Sequence, residues 1–425
     1  MHRPRKVVSV SIRTQRVPAA RLWLAGALAA LAALGGATPA HAAQRPGRSV
    51  EAIVRLAPGA TADQGAARVR ALHGRVTGDL HIIHGLAARV PARELARLRR
   101  APEIAGVDAD APVKPQGKAT AAASWGTSNT LLATAYPSSV NAIQNWTDPL
   151  TGLARYTGAG VGVAVIDTGI AGTMPDFKNP NGVSRVVASV VTNPSATTAN
   201  DTYGHGTHVA GILAGNGNGR DVRDKAYGKY LGVAPDANLI SIKAGDEQGN
   251  ATVLDVIYGL QFVVDHKADY NIRVVNLSLE STVAQSYLVD PLDAAVESAW
   301  LNGVVVVAAA GNRGSAADAV SYAPGNDPFV ISVGAVDDKG TQGNSDDAFA
   351  SWSSRGLTQD GFAKPDVSAP GAHIVSTLAP NSTFTTLCPS CIVDTNYIRA
   401  GGTSMAAPVV AGVAALALQA HPDWT

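Results

Sequence analysis

Hydrophobic residues follow two patterns along residues 160–420 of this chain, one typical of buried strands and the other of helices. Continuous apolar runs rich in β-branched residues, each preceded by glycine, are typical of central strands in a parallel sheet that is covered on both faces. Two runs are of this kind, Val163–Ile166 and Val304–Ala309. Weaker candidates are Leu239–Lys243, Val274–Leu279 and Val330–Val333. Helical periodicity predicts helices over His208–Ala214, Val253–His266, Leu292–Leu301 and Met405–Ala420. This alternation predicts an α/β layer fold, in which functional groups gather beyond the carboxyl ends of the strands.

Residues 49–112 carry a second, shorter pattern. A strand-like run is followed by an amphipathic helix, two strand-like runs, a basic helix and a last strand. This β-α-β-β-α-β order predicts a small α+β unit of the split βαβ type. The segment Pro112–Ala123 is rich in Pro, Lys and Ala without an apolar period, so it is predicted to be a linker.

The N-terminus has the three parts of a secretory signal peptide. Residues 1–21 carry six basic and no acidic residues, Leu22–Leu34 is almost wholly apolar, and Ala40-His41-Ala42 is a small-x-small cleavage site. The apolar run is too short to span a bilayer comfortably. We therefore expect residues 1–42 to be removed and the protein to be secreted, extracellular and free of the membrane.

Composition and charge narrow the classes of protein that remain. The chain has 425 residues, 46% hydrophobic and 16% charged, which suits a large buried core. Residues 43–115 hold 12 basic and 7 acidic residues, whereas 116–425 hold 16 basic and 26 acidic. A basic unit followed by an acidic body suggests that the two associate. Lys/Arg runs with interleaved aromatics are lacking, so nucleic-acid binding is not expected.

Four polar residues stand where a layer fold would bring chemistry together. Asp167 and Asn312 follow two of the predicted central strands, His205 stands close before a predicted helix, and Ser404 lies at the N-terminus of an apolar helix. N–H groups at such a helix end are unpaired and favour negative charge. Each residue alone also fits a structural role as a turn, cap or core residue. His205 and His208 are three residues apart, but a zinc site is not favoured, because no glutamate follows His205 and no third ligand is evident.

The stretches VAVIDTGI, HGTHVAG, AAAGN and GGTSMAAP, in this order over about residues 125–425, resemble the subtilisin-like serine proteases (subtilases). The resemblance implies a three-layer α/β fold with a mainly parallel central sheet, preceded by a small α+β prodomain. It implies an inhibitory prosegment that also acts as a folding chaperone at 43–115, a processing linker at 116–124 and a peptidase domain at 125–425. Family members usually continue with another helix, so this domain is expected to be C-terminally incomplete.

The same resemblance assigns roles to individual residues. Ser404 matches the nucleophile, His205 the general base, and Asp167 the carboxylate that orients His205. Asn312 matches the side-chain donor to the oxyanion, and His208 matches a second, structural histidine. The implied enzyme is a serine endopeptidase that forms an acyl-enzyme, needs no cofactor for its chemistry, acts as a monomer and takes protein or peptide substrates.

Several positions concern specificity and stability. Ser278 and Leu279 match the strand that lines the primary specificity pocket, and Glu280 stands where subtilisins generally have glycine. Its carboxylate would narrow the pocket mouth, favour a basic substrate side chain, or point to solvent. Asp176 matches a residue that binds calcium in some members, but the partner loop 215–230 has no clear match, so a structural calcium is plausible while its ligands are unassigned.

Cys388 and Cys391 are the only two cysteines of the chain. In an exported chain this spacing favours a local disulfide over a redox or metal site. Closing so short a loop is expected to add little global stability.

Maturation is predicted to be an autocatalytic cut between Val113 and Trp125. The main alternative is a non-catalytic binding or adhesion module on the same scaffold, although the matching residues are all present. An esterase of the α/β-hydrolase type would need G-x-S-x-G and the chain order Ser, Asp, His. A redox protein using the two cysteines is the weakest alternative. The natural substrate is not predicted.

Overall fold

The computed structural model describes residues 9–11, 48–119, 132–217 and 220–425. The predicted signal peptide, apart from three residues, and the predicted linker after residue 119 lie outside the described residues.

The described elements alternate between strands and helices along most of the chain. The strands are β1 (Ser9–Ser11), β2 (Ser49–Leu56), β3 (Arg75–Leu80), β4 (Gly85–Pro91), β5 (Ile104–Ala109), β6 (Pro112–Pro115), β7 (Lys118–Ala119), β8 (Gly162–Asp167), β9 (Val186–Val191), β10 (Asn238–Lys243), β11 (Ala251–Thr252), β12 (Ile272–Leu277), β13 (Leu279–Ser281), β14 (Val305–Ala309), β15 (Ile331–Asp337), β16 (Ala348–Phe349), β17 (Gly356–Leu357), β18 (Ala363–Lys364), β19 (Val367–Pro370), β20 (Ile374–Thr377), β21 (Ile392–Val393) and β22 (Tyr397–Gly401). The helices are α1 (Ala62–Ala71), α2 (Leu95–Leu98), α3 (Tyr136–Ser139), α4 (Ala142–Trp146), α5 (His205–Ala214), α6 (Val253–Asp265), α7 (Lys267–Tyr270), α8 (Pro291–Leu301), α9 (Phe384–Leu387) and α10 (Thr403–Ala420).

The central sheet has the order β1-β9-β10-β8-β12-β14-β15-β16, with β19 also paired to β15. Neighbouring strands are parallel except β15 and β16. Val163 and Val165 of β8 share a buried cluster with α5 and α10, whereas Ala164 and Ile166 share another with α6 and α8. Alternate side chains are thus buried on both faces, and the predicted three-layer α/β fold is confirmed.

Helix α10 runs through one of these layers. By length and composition it could cross a membrane, yet 67% of it is buried inside the protein. Its Met405, Val409 and Leu416 belong to the same buried cluster as the sheet. Helix α10 is therefore a core helix that carries Ser404 at its first turn.

Residues 48–109 form a separate four-stranded antiparallel sheet of order β3-β4-β2-β5, with α1 and α2. This is the predicted β-α-β-β-α-β order. Val54 faces the unit's own core, whereas Ile53, Leu80 and Ala87 join the cluster formed by α6 and α8 of the main domain. The unit is therefore docked by its sheet face on these two helices.

The described part of the predicted linker pairs with strands of the main domain. Strand β6 lies between β11 and β13 in a three-stranded antiparallel sheet, and β7 pairs with β22. The pairing is made by main-chain groups of strands far away in sequence, so it needs no apolar period in the segment itself.

Candidate active site

Asp167 and His205 are brought together at the end of β8. Asp167 is the last residue of that strand, and His205 is the first residue of α5. The His205 Nδ1 atom lies 2.8 Å and 3.0 Å from the two Asp167 carboxylate oxygens. Asp167 is 5% exposed and His205 is 0% exposed, and the Thr168 N–H donates to Asp167 at 2.7 Å. The imidazole is thus held with Nε2 facing away from the carboxylate.

Asp201 organises the turn that presents His205, a role the sequence analysis did not identify. Its carboxylate accepts hydrogen bonds from the N–H of Gly204 and from both the N–H and the hydroxyl of Thr207. It also accepts from the Thr168 hydroxyl, which links it to the Asp167 side. Burial raises the pKa of Asp201, although these hydrogen bonds oppose the rise. An acid shortly before a helix is a capping signal and could have drawn attention to it.

Ser404 lies in the first turn of α10, as predicted. Its N–H donates to the Gln116 carbonyl oxygen at 3.0 Å. Its hydroxyl donates to the Ser278 carbonyl oxygen at 2.8 Å, while the His205 Nε2 atom has no hydrogen-bond partner among the described residues. The structure therefore pairs Asp167 with His205 but does not form a hydrogen bond between His205 and Ser404.

Asn312 follows β14 and points its side chain at the same carbonyl oxygen. Its Nδ2 donates to the Gln116 oxygen at 2.7 Å. Its Oδ1 accepts from the N–H of Thr403 at 3.0 Å and from the Thr403 hydroxyl at 3.1 Å, which fixes the orientation of the amide. Gly402 allows this approach, since a Cβ there would lie 2.1 Å from the Gln116 oxygen. Two N–H donors thus converge on one peptide carbonyl.

The Gln116–Gly117 peptide bond lies between these donors and the imidazole. A Cβ built on Gly117 would lie 3.0 Å from His205 Nε2 and 2.7 Å from the Met405 Cε atom. The Gln116 carbonyl therefore faces the N–H donors, and Gly117 faces the imidazole. The Pro/Lys/Ala composition of the segment gave no signal for this placement, because main-chain contacts determine it.

The chain before Gln116 runs through the cleft as β6. Val113 pairs with Ser281 on one side and with Ala251 on the other, and Pro115 lies opposite Leu279. The Gln116 N–H donates to the Ser278 carbonyl oxygen at 3.1 Å. Ser278 and Leu279 therefore contact an extended segment of the same chain.

The side chain of Glu280, in β13, is buried in the wall of this cleft. The predicted alternative, that its carboxylate points to solvent, was therefore wrong. Glu280 is 5% exposed, and its Oε1 lies 3.1 Å and 2.9 Å from Nε and Nη2 of Arg313. Burial raises the pKa of Glu280, and the Arg313 guanidinium opposes the rise. Arg313 directly follows Asn312, so it reaches Glu280 from the opposite wall of the cleft.

Asp176 does not fit a calcium site in this chain. Its carboxylate is fully buried and accepts from Nε and Nη2 of Arg220 at 3.3 Å and 2.8 Å, and from the hydroxyl of Tyr397. The cation that balances Asp176 is thus an arginine from the loop for which no calcium ligand could be assigned. Among the described residues, no group of three or more His, Cys, Asp and Glu side chains is placed to hold a metal ion.

His208 and the two cysteines make contacts that stabilise the structure locally. The Nε2 atom of His208 lies 3.0 Å from the Ile398 carbonyl oxygen, and burial lowers the pKa of His208 to about 3, so the ring is neutral. Cys388 and Cys391 form a disulfide with a Cα–Cα distance of 5.3 Å.

The chain is similar to known proteins over most of its main domain. Residues 158–425 match the model of the subtilase family. The chain is 40% identical to serine protease AprX of Bacillus subtilis over 274 residues, which are 63% of this chain and 59% of AprX. It is 39% identical to subtilisin E of Bacillus subtilis, over 64% of this chain and 58% of the relative. It is also 39% identical to the subtilisin of Bacillus pumilus, over 64% of this chain and 81% of that protein.

The chain therefore belongs to the subtilase family, whose members include serine proteases. It is similar to AprX and to subtilisin E over just under three fifths of the length of each.

Proposed function

We propose that this chain is a secreted serine endopeptidase made as a zymogen, and that the first bond it cuts is its own Gln116–Gly117 bond. One observation carries the proposal: the Gln116 carbonyl oxygen accepts hydrogen bonds from the Ser404 N–H and from Asn312 Nδ2. Donors that converge on a peptide carbonyl are the arrangement that stabilises the negative oxygen of an acyl-transfer intermediate.

The reaction uses Ser404, His205, Asp167 and Asn312. The Ser404 hydroxyl turns from the Ser278 carbonyl towards His205, gives its proton to Nε2, and its oxygen bonds to the Gln116 carbonyl carbon. The oxyanion is held by the Ser404 N–H and by Asn312, and Asp167 stabilises the charged imidazole.

Collapse of the intermediate breaks the bond to the Gly117 nitrogen. His205 returns the proton to that nitrogen, which suits the position of Gly117 beside Nε2. Gln116 remains bound to Ser404 as an ester. A water molecule then gives a proton to His205 and attacks the ester. The bond from the Gln116 carbonyl carbon to the Ser404 oxygen breaks, His205 returns the proton to that oxygen, and residues up to Gln116 leave with a free carboxylate.

We further propose that residues 43–115 act as the intramolecular inhibitor, and that 116–124 is the processing segment. Strand β6 fills the cleft between β11 and β13, where an extended substrate would pair by its main chain. Export rests on the predicted signal peptide at residues 1–42. Other substrates are then proteins or peptides that can enter the cleft as an extended strand, and all groups of the proposed reaction come from one chain.

The test compares the purified full chain with Ser404→Ala. The unaltered chain should produce a fragment with Gly117 at its N-terminus and should react with a fluorophosphonate, while Ser404→Ala should remain intact and unlabelled. Ser345→Ala, a change of an exposed serine, is the matched control and should behave like the unaltered chain.

Two results would contradict the proposal. A Ser404→Ala chain that still cuts itself when pure would show that another group acts. An unaltered, folded chain that neither cuts nor labels would favour the non-catalytic binding module.

A further inference from the structure

The main chain of Gln116 is held by hydrogen bonds between two walls of the cleft. One wall is β13, since the Gln116 N–H donates to Ser278 just before that strand. The other is the segment after β14, since Asn312 donates to the Gln116 carbonyl. Gln116 therefore lies between these walls. Glu280 lies opposite Lys114, on the face of the extended chain that the Gln116 side chain shares, so a group that crosses between the walls there limits which side chains fit.

The Glu280–Arg313 ion pair crosses from one wall to the other. Glu280 comes from β13 and Arg313 from the residue after Asn312, with the two nitrogen–oxygen distances given above. The second oxygen of Glu280 packs on the opposite wall, because a Cβ on Gly311 would lie 2.4 Å from it. The carboxylate thus lies across the space that a glycine at position 280 would leave open.

Tyr322 supports the pair from the far side. The Arg313 guanidinium lies over the Tyr322 ring at 3.7 Å from its centroid, and the Tyr322 hydroxyl donates to Asp318. Arg313 is also fixed by its main chain, whose N–H donates to the Ser354 hydroxyl at 3.0 Å. The guanidinium is therefore held in place by the ring as well as by Glu280.

The side chain of Gln116 is uncharged and largely buried, as a wall closed by an ion pair would favour. Gln116 is 8% exposed, and its amide donates to the Lys114 carbonyl oxygen at 3.3 Å. It is a neutral polar side chain that turns back on its own strand and forms no ion pair.

We propose that the Glu280–Arg313 pair, backed by Tyr322, sets the primary specificity of this protease for uncharged side chains of limited length at the cleaved bond. The two opposite charges neutralise each other, so neither a basic nor an acidic substrate side chain finds an unpaired partner. An arginine in the substrate would meet Arg313, and a glutamate would meet Glu280, at short range and out of water. This inference rests on the proposed function and names the residues that select its substrate.

Breaking the pair should reverse the selection in a direction that depends on which partner is lost. Without Arg313, the buried Glu280 carboxylate lacks a cation and a substrate arginine can supply it. Without the Glu280 charge, Arg313 can pair with a substrate glutamate. A merely structural role for the pair would slow all substrates alike.

The test uses the chain as its own substrate, because β6 fixes the register of Gln116 in the cleft. The rate of cutting after residue 116 is measured by mass spectrometry in purified full-length chains. Gln116→Arg alone should slow cutting by about 10–100-fold, and adding Arg313→Gln should restore at least about tenfold of that loss. Arg355→Gln is the matched control, since Arg355 also lies over an aromatic ring, that of Phe349 at 5.2 Å, and it should restore nothing.

A second pair of variants keeps the test decisive if Arg313→Gln folds poorly. Gln116→Glu should also slow cutting, and adding Glu280→Gln should restore it. Fluorophosphonate labelling of every variant reports whether its nucleophile is intact. Failure of the unaltered chain to cut or label would refute the proposed function. The specificity inference alone would be overturned if labelled Gln116→Arg or Gln116→Glu chains were cut as fast as the unaltered chain, or if neither rescue occurred.

Discussion

Asp110 connects the N-terminal unit to the main domain through one hydrogen bond that should depend on pH. Its Oδ1 accepts from the Leu254 N–H at 3.0 Å, in the first turn of α6. The same helix end carries Asp255, whose carboxylate accepts from the N–H and the hydroxyl of Thr252 at 2.9 Å. Two carboxylates therefore share one helix N-terminus, and one of them leaves when the N-terminal unit leaves.

The pKa of Asp110 determines the direction and the size of the pH dependence of docking. Burial raises it from 3.8 to about 6 in the docked state, although the Leu254 N–H opposes the rise. Burial, and in smaller part the charge of Asp110, raises the pKa of Asp255 to about 7. The docked state thus binds a proton more tightly than the free unit. Asp110's contribution to docking is fully present below about pH 4 and is lost as the pH rises through 6.

Complete loss of Asp110's contribution would lower the free energy of docking by at most about 3 kcal/mol, which corresponds to ~100-fold weaker docking. Between pH 5 and pH 8 these pKa values allow about tenfold of this loss. Because Asp110 is only half-buried and water screens part of the interaction, we expect about threefold. Asp110→Asn keeps an oxygen that can accept from Leu254 but removes the titration. It should make docking tighter at pH 8 and flatten its pH dependence.

The assay measures how fast the cut N-terminal unit dissociates, followed as the onset of peptide hydrolysis after dilution at each pH. Asp63→Asn, an exposed acid in α1 of the same unit, is the control and should leave the pH dependence unchanged. If Asp110→Asn dissociates with the same ratio of rates at pH 8 and pH 5 as the unaltered chain, the reasoning from burial at α6 is refuted.

Three further predictions concern single contacts. Asn312→Ala should slow self-cleavage by about 10²–10³-fold in a timed mass-spectrometric assay, a figure established for an oxyanion-hole asparagine of a subtilisin; a smaller effect would mean that the Ser404 N–H suffices. Arg220→Met leaves the buried Asp176 carboxylate without its cation and should lower the free energy of unfolding by about 3–5 kcal/mol in denaturant titration, whereas an unchanged midpoint would contradict the pairing. Replacing Cys388 and Cys391 together by serine should cost roughly 2 kcal/mol or less, because the closed loop is so short; a larger loss of thermal stability would show that the bridge holds more than its own loop.

The central layer could be predicted from the sequence because its signal is local. The run Val163–Ile166 needs cover on both faces, and the structure buries its alternate side chains against different helices. The apolar run after Ser404 likewise determined the helix that presents it. The predicted strand Val274–Leu279 was too long, since β12 ends at Leu277 and β13 begins at Leu279. The break at Ser278 frees the carbonyl that receives the Gln116 N–H, and hydrophobicity carries no signal for such a break.

Contacts between distant segments could not be predicted in the same way. Arg220 lies 44 residues after Asp176 and Arg313 lies 33 residues after Glu280, and no periodicity relates such pairs. The placement of Gln116 was hidden for another reason. Strand β6 is held mainly by main-chain hydrogen bonds to β11 and β13, and any residue except proline offers the same main-chain groups.

In the proposed maturation, the same contacts that present Gln116 for attack hold the N-terminal unit in place after the cut. Hydrolysis of the Gln116–Gly117 bond removes the tie to β7 and β22 but leaves the pairing of β6 with β11 and β13 unchanged. It also leaves the burial of Ile53 and Leu80 against α6 and α8. The product therefore keeps nearly all of the contacts of the substrate, and the cut unit stays bound by its own strand. Activation then requires a second event that weakens the docked face, and the carboxylate of Asp110 at the start of α6 is a place where a rise in pH would do so.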